Sequence, residues 1–446
     1  MQISTSTISH RSIHKTTKDI VKNVISDING TPNFILVALT SSYKNREDYQ
    51  KALLKIQEES GTENIMGGTF PAVVTSDEKP TVQGCAVMAI KSNEIHFEKP
   101  FAYSNIRTKP KKGAKIIQEK YKNTLLKSKI GFIITPGPSF LPGAMEDMKP
   151  MDSFFAHKFK RIFGVIGALI QKNMGKQGYG VTEYADVILE ILSNNGVDEL
   201  IGGAAYEMDV NPNFQFQGNQ VYQNALVGTV ISSDSLEFGH SWTFDKSQKY
   251  KNYMVTDYLK GGYIQKIDNK SASDKFLDKI NTTRELYDEA FSRYSYASLL
   301  YLTAVQLENG EYSPYVCASH PALKGLVTSI PNSKLNGKPF KTELFTQSGS
   351  GIKRSAYECA IKARGNIDNP LFGIFVNCSN RLIIAGDKIE DENVMIKKAL
   401  GDDVPFITLY GGGEFSLIKS QPIYSSVSLH SFIAGKASFS KKNVVF

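Results

Sequence analysis

LFGIFVNCSNR (371–381) and PFITLYGGGEF (405–415) are two apolar runs that stop at polar or glycine-rich punctuation. Apolar runs of about 4–8 residues bounded by turn signals predict buried strands. The first strand then delivers Cys378 and Arg381 to its end. The second delivers Gly411, Gly412, Gly413 and Glu414. A thiol, a guanidinium, a carboxylate and three glycines at the ends of two core strands predict a ligand pocket. The glycines allow close backbone approach or φ > 0, and the two charges can orient a polar ligand.

The same grammar recurs upstream. IMGGTFPAVVT (65–75) and LIGGAAYEMDV (200–210) each place a glycine pair after an apolar run, and GCAVMAI (84–90) and NALVGTVI (224–231) follow them. This predicts two related α/β units, with the third glycine cluster in an equivalent place. FILVALTSS (34–42) and IGFIITPGPSF (130–140) read as core strands; EDYQKALLKIQEES (47–60) and TEYADVILEILSNNG (182–196) read as helices. Strands alternating with helices indicate α/β layers. Each glycine-pair strand and the apolar strand that follows it are close in sequence, which predicts antiparallel hairpins and a mixed sheet. The expected fold is α/β (mixed α+β): two lobes of mixed, largely antiparallel sheets flanked by helices, with an internal pseudo-repeat. The expected organisation is a polar leader and one helix over 1–30, a first domain over 31–245 with a basic insert at 144–180, a second domain over 246–435, and a basic tail over 436–446. A Tyr- and Leu-rich helical pattern covers 279–307.

Composition sets further bounds. The 446 residues are 41% hydrophobic and 22% charged, which fits a globular chain and argues against disorder. No run reaches the ~18 apolar residues of a spanning helix, and the amino-terminal stretch lacks the apolar core of a secretory signal. The four cysteines, Cys85, Cys317, Cys359 and Cys378, form no C-x-x-C pair, so they read as free thiols in a reducing, cytoplasmic setting. The net charge of +8 is local: residues 107–129 carry nine Lys/Arg and one Glu. Ala114, Ile117, Tyr121 and Leu125 recur there at helical spacing, giving a basic amphipathic helix packed on a sheet. No recognition module accompanies the charge, so nucleic acid is not an expected partner; an acidic protein partner fits better. AHKFKRIFGVIGALIQKNMGKQG (156–178) reads as a buried helix, and no membrane contact is expected. Nothing in the sequence sets the oligomeric state.

Four further features occur in order. They are a glycine pair with an acidic follow-up (Gly202, Gly203, Asp209); GHSW (Gly239, His240, Trp242) before GGYIQKIDNKSASDKF (261–276); NCSNR (Cys378, Arg381); and YGGGEF (Gly413, Glu414) before SLHSF (His430). With them the chain resembles FIST-domain proteins over roughly 30–435, with amino-terminal and carboxy-terminal FIST modules in tandem. The resemblance implies an intracellular sensory module that binds small ligands such as amino acids or related metabolites. Family members sit beside signalling output domains, and some bacterial relatives bind haem and report nitric oxide. No kinase, cyclase or methyl-accepting segment is seen here, so a separate signalling partner is expected.

The ligand-binding candidates are Cys378, Arg381, Gly412, Gly413, Glu414, Gly202, Gly203, His240 and Trp242. Arg381 would grip a carboxylate with two N–H groups and Glu414 would accept an ammonium, which together make an amino-acid site. Each has a plainer reading: Cys378 as a small core hydrophobe, Arg381 as a strand-end surface charge, Glu414 as a solvated turn residue. One histidine beside a tryptophan has no second metal ligand at suitable spacing, so no metal site is expected. No cofactor is expected either. Two alternatives stand beside the binding module: a haem-binding gas sensor with His240 as the axial ligand, and a cysteine-dependent enzyme with Cys378 as nucleophile and His430 as base.

Overall fold

The structure is a computed structural model, and it describes residues 1–76, 78–138, 183–206, 213–259, 263–290, 299–307, 309–320, 325–331 and 339–437. The 144–180 insert, Asp209 and the tail from 438 onward lie outside the described residues.

Three times the chain builds the same unit. Strand Phe34–Thr40 lies parallel to Ile65–Phe70, Ser128–Pro136 parallel to Leu200–Ala205, and Ile367–Cys378 parallel to Phe406–Gly411. Parallel neighbours need a crossover connection. Helices Arg46–Ser60, Glu183–Ser193 and Glu390–Leu400 lie in the three connections. The first of these is well delimited: the Asn45 side chain accepts from the Glu47 N–H, and Gly61 ends the helix in the left-handed region at φ 69°. The first strand of each pair also receives an antiparallel return strand, Gly84–Lys91, Ala225–Ser233 or Leu429–Ala437. The hairpins expected between each glycine-bearing strand and the next apolar strand are therefore not formed. The first strand of the pair lies between them.

The far edge of each glycine-bearing strand is taken by a strand from another unit. Ala72–Thr75 of the first unit pairs with Phe406–Gly411 of the third. Gln215–Gln217 of the second pairs with Ile65–Phe70 of the first. Glu414–Ile418 of the third pairs with Leu200–Ala205 of the second. The exchange is cyclic and closes on itself. The fold is the expected mixed α/β class, and the repeat predicted from the glycine pairs extends to the third cluster.

Alternation along each core strand explains the layering. Phe34, Leu36 and Ala38 face a central apolar cluster shared with Ile130, Phe132, Ile201, Ile374, Val376, Ile407 and Leu409 from the other units. Ile35, Val37 and Leu39 face the first unit's helices. Gly203 sits where two units meet: a Cβ there would stand 2.5 Å from Val376 Cγ1.

A fourth, wholly antiparallel sheet is built from strands between Gln248 and Thr346, inserted before helix Gly349–Arg364. Two sheets join strands from both sides of position 245. Two sequence expectations are corrected. The supposed leader is strand Gln2–Ser9, paired along its length with Gly84–Lys91; its Ile and Thr side chains suit a pleated edge. The helical pattern over 279–307 contains helix Arg284–Ala290, but Tyr301–Gln306 is a strand paired with Phe340–Thr346; its aromatic and β-branched residues favour sheet.

Because the Gly203 contact leaves no room for a methyl group, Gly203→Ala should lower stability by about 1–3 kcal/mol. A urea unfolding curve checks this, and an unchanged midpoint would refute the packing role.

Candidate functional site

Strand Ile367–Cys378 ends at the thiol, and Phe406–Gly411 ends at Gly412 and Gly413. Beside these ends lies a cavity of about 400 Å³. Cys378, Gly412 and Gly413 line it, as do Ser379 and Asn380 at the start of helix Ser379–Ala385. The second unit contributes Pro138 and Tyr206 from just beyond its own strand ends. The fourth sheet closes one side with Val316, Ala318, Val327 and Thr328. Three of the nine expected ligand residues thus reach the cavity. Gly202 and Gly203 pack against Phe415 and Val376 respectively.

Arg381 is elsewhere. Its side chain is fully buried, and its guanidinium forms an ion pair with Glu392, with Nη2 at 2.5 Å and Nε at 2.9 Å from Oε1. Nη2 also donates to Ile352 O (3.1 Å) and Ser355 Oγ (3.0 Å). Asn377 Nδ2 donates to the second carboxylate oxygen of Glu392 at 3.2 Å. The Asn-Cys-Ser-Asn-Arg run therefore ties together three helices, Gly349–Arg364, Ser379–Ala385 and Glu390–Leu400. Its arginine positions the cavity edge and is not among the lining residues. Sequence reasoning missed Glu392, which carries no motif and is recognisable only once the helix is placed.

Glu414 stands behind Cys378, fully buried. Burial pushes its pKa up to about 8, against the smaller opposing effects of Ser428, Cys378 and Arg381. Ser428 Oγ lies 3.1 Å from its Oε2. Burial, aided by the Glu414 carboxyl, holds the Cys378 thiol well above its ordinary value, so it stays protonated. His430 is also fully buried and kept neutral by desolvation. Its Nδ1 meets Ser416 Oγ at 2.5 Å and its Nε2 meets Ser425 Oγ at 3.0 Å. The Cys378–His430 couple that a cysteine enzyme would need is not among these contacts. Trp242 packs 5.9 Å from the His430 ring and belongs to the same apolar cluster as Cys378.

The FIST N domain family matches residues 33–270, just over half of the chain. This chain belongs to the FIST family. FIST domains are small-ligand-binding domains of sensory and signal-transduction proteins. No curated protein matches the chain. A solved structure described as "Structure of PurLQS from Thermotoga maritima" aligns at 9% identity and a TM-score of 0.20, covering 98% of this chain and 72% of that one. A likeness that weak carries no argument.

The haem reading of this FIST protein requires a free ring nitrogen on His240 facing an apolar chamber. Here His240 Nδ1 meets Glu199 Oε2 at 2.9 Å and Nε2 meets Ser416 Oγ at 3.0 Å. Its ring borders a separate cleft of about 500 Å³ that carries Lys127, Lys362, Asp198 and Glu199. These residues do not fit a haem. Among the described residues no cluster of three or more His, Cys, Asp or Glu could hold a metal ion. No described helix is long and apolar enough to cross a membrane. The four cysteines are free and buried.

Two outcomes are expected. Arg381→Ala leaves the Glu392 charge buried and should cost about 3–5 kcal/mol, most of it recovered in the double variant Arg381→Met, Glu392→Met; chemical denaturation of the three proteins tests this, and equal stabilities of Arg381→Ala and parent would refute the clamp. For Glu414, the folded pKa of about 8 exceeds the ordinary 4.5. The native state therefore holds a proton that the unfolded chain has released, and its stabilising effect, complete below the unfolded pKa, is lost as pH rises toward 8. Glu414→Gln removes this dependence. Its stability relative to the parent should climb between about pH 5 and 8 and level off above that, as read by melting temperatures across pH.

Proposed function

We propose that the cavity between Cys378, Gly412–Gly413 and the fourth sheet is the ligand site of a sensory protein, and that occupancy is passed to a separate signalling partner in the cytoplasm. The observation that carries this is the cavity's position. It lies outside the carboxyl ends of the parallel strands of the second and third units, where open α/β sheets receive their ligands. Its volume of about 400 Å³ suits a metabolite of modest size. Val316, Val327 and Ile330 offer an apolar wall; Thr328, Ser329, Asn380 and the Gly412–Gly413 backbone offer a hydrogen-bonding edge. Amino acids and related metabolites, which combine an apolar side chain with polar main-chain groups, form the class to test first. In this reading Cys378 is a wall residue, and Arg381 and Glu414 support the wall from behind.

The test is a thermal-shift screen of metabolites on the parent and on Ala318→Phe, which fills the cavity from the fourth sheet. At least one metabolite should raise the melting temperature of the parent and lose that effect in Ala318→Phe. Equal shifts in both proteins would place binding elsewhere.

A further inference from the structure

The polar contacts at His430 continue in both directions. From the open cleft the sequence of bonds is Glu199 Oε2 to His240 Nδ1 (2.9 Å), His240 Nε2 to Ser416 Oγ (3.0 Å), and Ser416 Oγ to His430 Nδ1 (2.5 Å). It goes on from His430 Nε2 to Ser425 Oγ (3.0 Å), Ser425 Oγ to Ser428 Oγ (2.7 Å), and Ser428 Oγ to Glu414 Oε2 (3.1 Å). Ser416, His430, Ser425, Ser428 and Glu414 are each fully buried, whereas the Glu199 side chain is 30% exposed in the cleft. A continuous line of exchangeable protons thus joins a carboxyl behind one cavity to a carboxylate in another.

The donors can be assigned without conflict. With Glu414 protonated, its O–H donates to Ser428, Ser428 to Ser425, and Ser425 to His430 Nε2. His430 Nδ1–H donates to Ser416, Ser416 to His240 Nε2, and His240 Nδ1–H to the Glu199 carboxylate. Every bond then has one proton, and no ring carries a charge. If each proton crosses its own bond, six O–H or N–H bonds break and six form. Glu414 becomes a carboxylate, Glu199 becomes a carboxylic acid, and water in the cleft takes the proton from Glu199. All six bonds reverse direction and remain satisfied.

We propose that Glu199 and His240 form a second site, a proton-exchange mouth in the cleft, and that the serine–histidine line conducts the Glu414 proton to it. The path stands whether or not the Cys378 cavity takes a ligand. It makes the charge behind that cavity answerable to solvent in a separate cleft. The ionisable groups facing Glu414 are Cys378 from the end of its strand, Arg381 from the short helix, already paired with Glu392, and His430 through the two serines. The neighbouring strand Leu200–Ala205 presents Gly203 opposite Glu414, and Gln421–Ser425 presents Ser425.

The experiment follows the carboxylic acid C=O stretch of Glu414 by infrared spectroscopy after a pH jump from about 6.5 to about 9.5, bracketing its value of about 8. Loss of the band in Glu414→Gln assigns it. Ser416→Ala removes the central proton carrier and leaves both carboxyls and the immediate contacts of Glu414 in place. The band should still titrate near the same pH in Ser416→Ala, but its decay should slow roughly 100-fold. Ser425→Ala interrupts the line at a second point and serves if Ser416→Ala does not fold. Unchanged decay in a folded variant would mean that protons reach Glu414 by another route, such as past Cys378, and would overturn the path. Absence of any assignable band in the parent would overturn it as well.

Discussion

The cyclic exchange of edge strands is the constraint on which the rest of the molecule depends. A parallel strand at a sheet edge exposes a row of unpaired N–H and C=O groups. In each unit the glycine-bearing strand would be such an edge. Instead Ala72–Thr75, Gln215–Gln217 and Glu414–Ile418 each cover the edge of another unit. Deleting one unit would leave a neighbour's edge open and remove that unit's side chains from the shared central cluster. The glycines follow from this closure. Where the units converge, Gly203 meets Val376 and Gly411 meets the Ala204 carbonyl, contacts that a side chain would block.

Closure also explains why so much polar chemistry is buried. Strand Glu414–Ile418 leaves its own unit, so Glu414 and Ser416 become interior residues between sheets. Two solutions to buried charge then stand side by side. Arg381 and Glu392 neutralise one another and are completed by Asn377, Ser355 and the Ile352 carbonyl. A buried pair of this kind is weak evidence for net stability; its clearer effect is geometric, since it fixes three helices at the cavity edge. Glu414 has no such direct partner and keeps its proton instead. The wall behind the cavity is therefore close to neutral at neutral pH, and its charge is a variable rather than a constant.

Much of the architecture was legible in the sequence. The core strands, the helices between them and the glycine pairs were visible because a strand buried on both faces reads as a continuous apolar run. The meeting of Cys378 with the Gly412–Gly413 turn followed from two strands ending together. The exchange of edges was not legible, because Ala72–Thr75 and Phe406–Gly411 are more than three hundred residues apart and neither carries a mark of its partner. Gln2–Ser9 was misread because serine and threonine on its alternating pattern resemble a solvated leader. Arg381 was misassigned for a different reason. A sequence shows the charge but not the counter-charge, and Glu392 sits on a helix whose placement depends on the closed fold. Ser416, Ser425 and Ser428 gave no signal at all, since a serine in a strand has no chemistry until a neighbour is known.

A ring of three like units offers three like sets of strand ends, and the cavity beside Cys378 lies where the second and third units meet. What marks this junction is the sheet between Gln248 and Thr346, inserted into the third unit. Val316, Ala318, Val327 and Thr328 from that sheet roof the ends of the third unit's pair, and Pro138 and Tyr206 bring in the second unit. The insertion breaks the symmetry and gives the strand ends a wall on one side. It does so without contributing to the central cluster, whose residues come from the three units. Substitutions in the roof can therefore change the shape of the cavity without touching the central cluster. Substitutions at the strand ends cannot separate the two, because Cys378 and Gly412 belong to the closure and to the cavity at once.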